Sequence, residues 1–140
     1  MLDINVCCPV DHGKLIEQDG HLENLRLGLK YPIEGGIPVF ADKRGYWSNV
    51  PRETMRRVIE LSVSSGDWLK ALREEIPECE RHIAPLFRGD IHTALPISKE
   101  SVVLDAGSMW GGITLPLAQF CKTIYALDQT WESLKYLQVR

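Results

Sequence analysis

Apolar and polar positions follow three different patterns along the chain. In residues 99–140 the apolar side chains come in short runs. Val102, Val103 and Leu104 form one, β-branched at two positions and ended by Asp105, which is the pattern of a buried strand in a parallel sheet. A loop follows, Ala106-Gly107-Ser108-Met109-Trp110-Gly111-Gly112, and then an apolar segment at residues 113–120 that fits a helix. Pro116 is compatible with that helix when it falls in the first turn. A second strand at residues 123–127 is closed by Asp128, and Trp131, Leu134 and Leu137 then share one face of a further helix, with Gln129 or Thr130 as its cap. The order strand, glycine loop, helix, strand, acid predicts a βαβ unit.

Residues 45–98 switch to helical spacing. Met55, Val58, Ile59 and Ser62 fall on one face, with Arg52, Arg56 and Glu60 elsewhere; Ser48 or Asn49 is the expected cap, with Pro51 at the first helical position. Ser64-Ser65-Gly66 breaks this helix. Asp67 caps a second one carrying Trp68, Leu69, Leu72 and Ile76 and stopped by Pro77. A weaker third helix is predicted over residues 78–87, and Arg88-Gly89-Asp90 opens a loop that runs to Pro96.

Residues 1–44 read as short extended pieces. Asp19-Gly20 is a hairpin turn between residues 14–18 and 21–25. Tyr31-Pro32-Ile33 and Gly36-Ile37-Pro38-Val39-Phe40 are extended around a Gly35-Gly36 turn. The expectation is a β-rich knob of three or four strands, packed through Val6, Leu15, Leu22, Leu25, Ile33, Ile37 and Val39.

Composition narrows the class without naming a function. The 140 residues are 44% apolar and 25% charged with net charge −3, ordinary for a soluble globular protein and no sign of a nucleic-acid surface. There is no leader-like segment and no long apolar run, so the expected location is cytoplasmic, away from membranes. Cys7, Cys8, Cys79 and Cys121 are scattered and read as reduced thiols. Trp47 and Trp68 could stack on a substrate, but large aromatics at helical spacing are expected in the core; Glu74-Glu75 is expected on a solvated face, and Cys79 and Cys121 as small buried hydrophobes. His82 and His92 receive no role.

The chemistry lies in the glycine loop. Glycines after a strand let a ligand approach the backbone, and an acid about 20 residues past the first glycine suits a ribose hydroxyl. Against the dinucleotide pattern G-x-G-x-x-G, Gly107 and Gly112 match and Met109 replaces the middle glycine; against D-x-G-x-G-x-G, Asp105, Gly107 and Gly111 match and Met109 again departs. The acid decides between them. A carboxylate would repel pyrophosphate but suits an ammonium and a sulfonium. The segment VVLDAGSMWGGITLPLAQFCKTIYALDQTWESLKYLQVR closely resembles the start of a class I S-adenosylmethionine-dependent methyltransferase. The resemblance implies a cofactor site in which Asp105, Ala106, Gly107, Ser108 and Gly111 hold the methionine part, Asp128 holds the ribose, and Gln129 or Trp131 reaches the adenine edge. It implies about seven sheet strands where this chain carries two. The expectation is therefore the truncated start of an α/β Rossmann-like domain, an N-terminal piece of a longer enzyme that is inactive alone. The methyl acceptor and catalytic residues are not legible, and the sheet edge would be covered by the helices or a second copy of the chain.

A second resemblance covers the knob. Cys8-Pro9-Val10-Asp11-His12-Gly13-Lys14-Leu15, with Tyr31-Pro32-Ile33 and Gly36-Ile37-Pro38-Val39, is similar to the tRNA methyltransferase activator family, in particular its small zinc-less bacterial relatives. Some members of that family bind zinc through two Cys-x-x-Cys pairs; Cys8, Asp11, Asn24 and Leu27 hold those places here. Leucine cannot ligate metal, and His12 and His21 lack the spacing to substitute, so no zinc is expected. The whole reads as an α+β knob (1–44), a helical segment (45–98) and an incomplete methyltransferase domain (99–140). The competing reading is a non-enzymatic activator module that docks onto a separate methyltransferase.

Overall fold

Asp19 and Gly20 both take positive φ, 46° and 76°, and so do Gly35 and Gly36, 57° and 83°. Two adjacent left-handed residues match the right-handed twist of the strands they join, which is why each pair closes a tight hairpin. In the computed structural model, which describes residues 6–41, 45–85, 87 and 89–140, these turns link β1 (Ile16–Gln18) to β2 (His21–Asn24) and β3 (Leu29–Glu34) to β4 (Ile37–Pro38). All neighbours are antiparallel, in the order β1-β2-β3-β4. Gln18 pairs with His21, Leu22 with Tyr31 and Glu34 with Ile37. The interior is smaller than the sequence suggests. Cys8, Leu22 and Asn24 are buried, and the Tyr31 and Phe40 rings meet at 5.1 Å. Leu25, expected inside, is 64% exposed, because it follows the last residue of β2 and enters the turn.

The chain divides after residue 44 into two compact units. The second begins with helices. Helix α1 (Arg52–Ser65) starts one residue later than read from sequence. Pro51 is its N-cap, with φ −56° and ψ 140°, and no side chain caps it. The Ser48 hydroxyl instead accepts the Val50 N–H at 3.1 Å. Gly66, at φ 67°, ends α1 in the left-handed conformation that glycine reaches most easily, and returns its N–H to the Ser62 carbonyl. Asp67 caps α2 (Trp68–Glu75) by accepting the Lys70 N–H at 2.9 Å. The predicted third helix is cut short. A 3-10 turn at Pro77–Cys79 leads into α3 (Glu80–Ile83), and Pro85, lacking a donor, cannot carry it further. The expected loop before Pro96 contains α4 (Gly89–Ala94), with Asp90 in its first turn, where an acid complements the helix dipole; Arg88 lies outside the described residues.

Strands β5 (Val102–Ala106) and β6 (Thr123–Leu127) are parallel neighbours, with Val102 opposite Thr123 and Ala106 opposite Leu127. Helix α5 (Thr114–Ala118) connects them; it is shorter than the predicted 113–120 and holds Pro116 at its third residue. Helix α6 (Trp131–Val139) follows. The core of this unit is helical. Val50, Met55, Val58, Ile59, Leu72, Ile76 and Ile83 cluster with Trp110 from the glycine loop and Tyr136 from α6. Val102 and Leu104 are each 64% exposed, alternating with half-buried Val103 and Asp105, so β5 packs on one face only. The architecture is mixed α+β, with a four-stranded antiparallel sheet and a small parallel pair. Among the described residues no helix is long and apolar enough to cross a membrane.

Candidate functional site

The loop after β5 is stitched to the end of β6. The N–H groups of Gly107 and Ser108 both donate to the Leu127 carbonyl, at 2.7 and 3.0 Å. Gly107 needs its positive φ of 82° to present them. Met109, which replaces a glycine of the pattern, adopts a left-handed φ of 45° all the same. Its N–H donates to Asp128 Oδ2 at 2.7 Å; this charge-assisted bond offsets the strain of a left-handed methionine. Asp128 Oδ1 accepts the Thr130 N–H at 2.7 Å, which opens α6. An ionised carboxylate has about four acceptor sites, so Asp128 keeps capacity for two more donors.

The seven residues implicated from sequence do not all reach one surface. A cleft of about 370 Å³ is lined by Trp47, Ser48, Asn49, Gly107, Met109, Asp128 and Gln129, within the ~300–1,000 Å³ of small-molecule clefts. Gly107, Asp128 and Gln129 are therefore together. A Cβ on Gly107 would meet nothing within 4 Å. Asp105, Ala106, Ser108 and Gly111 are not part of this lining. Asp105 Oδ2 accepts the hydroxyl of Thr114 at 2.5 Å, tying β5 to α5. Ala106 is exposed. Ser108 is 5% exposed, and its buried hydroxyl has no hydrogen-bond partner among the described residues. Gly111, at φ 78°, lies under α6: a Cβ there would sit 2.2 Å from Leu137 Cδ1. Its glycine serves close packing and not the approach of a ligand.

The other wall of the cleft comes from the segment ahead of α1. Thr130, fully buried, accepts the Trp47 N–H at 3.0 Å and donates to the Trp47 carbonyl at 3.3 Å. Arg52 donates to the Gly45 carbonyl at 3.0 Å and stacks 4.9 Å from the Tyr46 ring centre, and the Tyr46 hydroxyl donates to the Val50 carbonyl at 2.5 Å. Glu132, 4% exposed in the first turn of α6, faces Arg52 Nε at 3.2 Å and Arg56 Nε at 3.5 Å. The strap over residues 45–50 is thus fixed to the start of α6. It leaves Trp47 83% exposed, which corrects the expectation of a core residue. Trp68 does pack against the core, with the Arg140 guanidinium 4.5 Å from its ring. Sequence reading missed Thr130 and Glu132 as site builders and favoured the core over a substrate-facing place for Trp47. An acid in a first turn is ordinary, so nothing marked Glu132 as buried.

In the knob, the four places of the Cys-x-x-Cys pairs form a hydrogen-bonded clasp. Asp11 Oδ1 accepts the Gly13 N–H at 2.8 Å and the Asn24 amide at 2.7 Å, and Oδ2 accepts Arg26 Nε at 2.9 Å and Arg26 Nη2. The Asn24 carbonyl oxygen accepts the N–H groups of Arg26 and Leu27, at 3.0 and 3.2 Å. The Gly13 and Asn24 bonds, with Arg26 adding to them, outweigh burial and hold the Asp11 carboxyl well below the usual carboxylate range. Cys8 Sγ lies 3.2 Å from the Tyr31 hydroxyl. That contact is the first cause of a Tyr31 pKa pushed up to about 12. At Cys8, burial raises the thiol pKa, but bonds from Tyr31, Asn24 and the Val10 and Asp11 backbone together bring it below its ordinary value. One thiol, a carboxylate already holding several donors, an amide and a leucine do not fit a tetrahedral zinc ion. Among the described residues no three His, Cys, Asp or Glu are grouped to hold a metal.

No protein-family model, no curated protein and no solved structure matches the chain.

Proposed function

We propose that the second unit carries the cofactor-binding face of a class I S-adenosylmethionine-dependent methyltransferase. The observation that supports it most is the pairing of Asp128, at the end of the second parallel strand, with Gly107, at the end of the first, across one cleft. Parallel strands put their carboxyl ends on the same side, and ligands of such sheets bind there. When bound, the sulfonium supplies a methyl group to a nucleophile by in-line displacement. The remaining acceptor sites of Asp128 take the two ribose hydroxyls. Gly107, with open space where a side chain would stand, lets the methionine portion lie against backbone. Asp105 stands outside the lining of the cleft, and the Thr114 hydroxyl holds its carboxylate between β5 and α5. The protein's contribution is orientation and exclusion of water. The acceptor is not specified by these residues.

Calorimetric titration of S-adenosylhomocysteine tests the reading. Binding is expected, and Asp128→Ala is expected to weaken it by about tenfold or more, the value of one or two lost charge-assisted hydrogen bonds at about 1.5–3 kcal/mol each. Equal affinity in the two proteins would remove Asp128 from the site, and absence of binding to the unmodified chain would sink the proposal.

A further inference from the structure

Trp47 is, among the described residues of the second unit, the most exposed large apolar side chain. Its indole is 83% exposed, yet its backbone is held at both N–H and carbonyl by one fully buried hydroxyl, that of Thr130. The residues around it are fixed as well, through Tyr46 to Val50 and Arg52 to Gly45. A side chain needed only for the core would be turned inward, and one with no role would not need an anchored strap. Trp47 also lines the cleft next to Asp128 and Gln129. Its anchor, Thr130, comes two residues after Asp128, on the side of β6 away from the glycine loop in sequence.

We propose that Trp47 is a stacking wall for the nucleobase of the ligand held by Asp128. This rests on the cofactor reading above and adds to it a specificity residue from outside the βαβ unit. With the ribose hydroxyls on the Asp128 carboxylate and the aminoacid portion toward Gly107, the base must extend past Asp128. That is where the anchored strap presents the Trp47 ring to the cleft. Base–aromatic stacking is strong and needs no donor–acceptor match, and a backbone already fixed by Thr130 loses little freedom when the base arrives. The Gln129 amide, exposed in the same lining, supplies the polar contact that stacking lacks.

Adenosine and S-adenosylhomocysteine are titrated into the unmodified chain and into Trp47→Ala, Trp47→Phe and Asp128→Ala, by calorimetry and by tryptophan fluorescence. Because Trp47 is mostly in solvent, its replacement should leave folding intact, which the circular dichroism of each variant checks. Both ligands are expected to quench Trp47 emission. Trp47→Ala should weaken both by about tenfold, as for loss of one base–aromatic stack, and Trp47→Phe by about threefold or less. Unchanged affinity in Trp47→Ala, with binding lost in Asp128→Ala, would overturn the stacking wall and leave the cofactor reading standing. A loss confined to S-adenosylhomocysteine, with adenosine unaffected, would also overturn it, since Trp47 would then touch the aminoacid end. If neither ligand binds the unmodified chain, both proposals fall.

Discussion

Trp110→Ala is expected to destabilise the second unit by about 3–5 kcal/mol, the range for removing a large aromatic from a close-packed core. Trp110 belongs to the glycine loop but is only 6% exposed. Its ring meets Tyr136 edge-on, with centres 6.2 Å apart, and its carbonyl accepts a hydrogen bond from Arg140. A small domain is stable by about 5–15 kcal/mol in all, so the loss is a large fraction of the total. The same change should loosen the loop: Gly107 and Met109, just ahead of the anchor in the chain, hold their bonds to Leu127 and Asp128 only while Trp110 is seated. Denaturant unfolding reads the first effect, and amide exchange at Met109 reads the second. Trp110→Phe separates ring packing from the indole N–H, which is buried without a partner among the described residues. Phenylalanine keeps an edge-on ring and removes that unsatisfied donor, so it should cost less than half as much as alanine. An alanine cost below about 1 kcal/mol would mean the loop does not depend on this anchor.

Asn24→Ala is expected to unfold the knob and leave the second unit folded. Asn24 is 1% exposed, and its amide bridges two turns by donating to Asp11 and accepting from the backbone of Arg26 and Leu27. Removing it strands buried or half-buried groups on both turns, at about 1–3 kcal/mol for each buried group left unsatisfied. A unit of this size seldom holds more than about 3–5 kcal/mol. Loss of dispersed amide signals over residues 6–41, with those of α1, α2 and α6 unchanged, is the expected spectrum; a knob that stays folded would show that its strands suffice without the clasp. Acid should act on the same clasp. Asp11 is held below its unfolded pKa, so the stability it contributes is complete above about pH 4 and fades as the pH falls through and below that value. Asp11→Asn should remove that part of the acid dependence, measured by thermal melts of the knob from pH 6 to pH 2.

Much of the local structure was legible. The Asp19-Gly20 turn, the end of α1 at Gly66 and the Asp67 cap follow from residues whose preferences act within one turn of chain. Gly89–Ala94 was not legible, because Gly89 and Asp90 read as a turn when their surroundings are unknown. The same locality explains the site. An acid at the end of each strand and a glycine between them can be read in a window of thirty residues, but Gly111 looked like a ligand glycine until Leu137 stood over it.

The sequence by itself determined that two parallel strands would bracket a glycine turn, each ended by an acid, and that a hairpin knob would precede a run of amphipathic helices. Periodicity and turn chemistry are short-range forces and are written in neighbouring residues. Only the tertiary structure decided that Trp110 turns into the core, that Trp47 turns out into the cleft that Asp128 also lines, and that Asp11 and Asn24 join in a hydrogen-bonded clasp. Those choices depend on partners far away along the chain, 83 residues in the case of Trp47 and Thr130, and on which face each element buries. No local pattern carries that information.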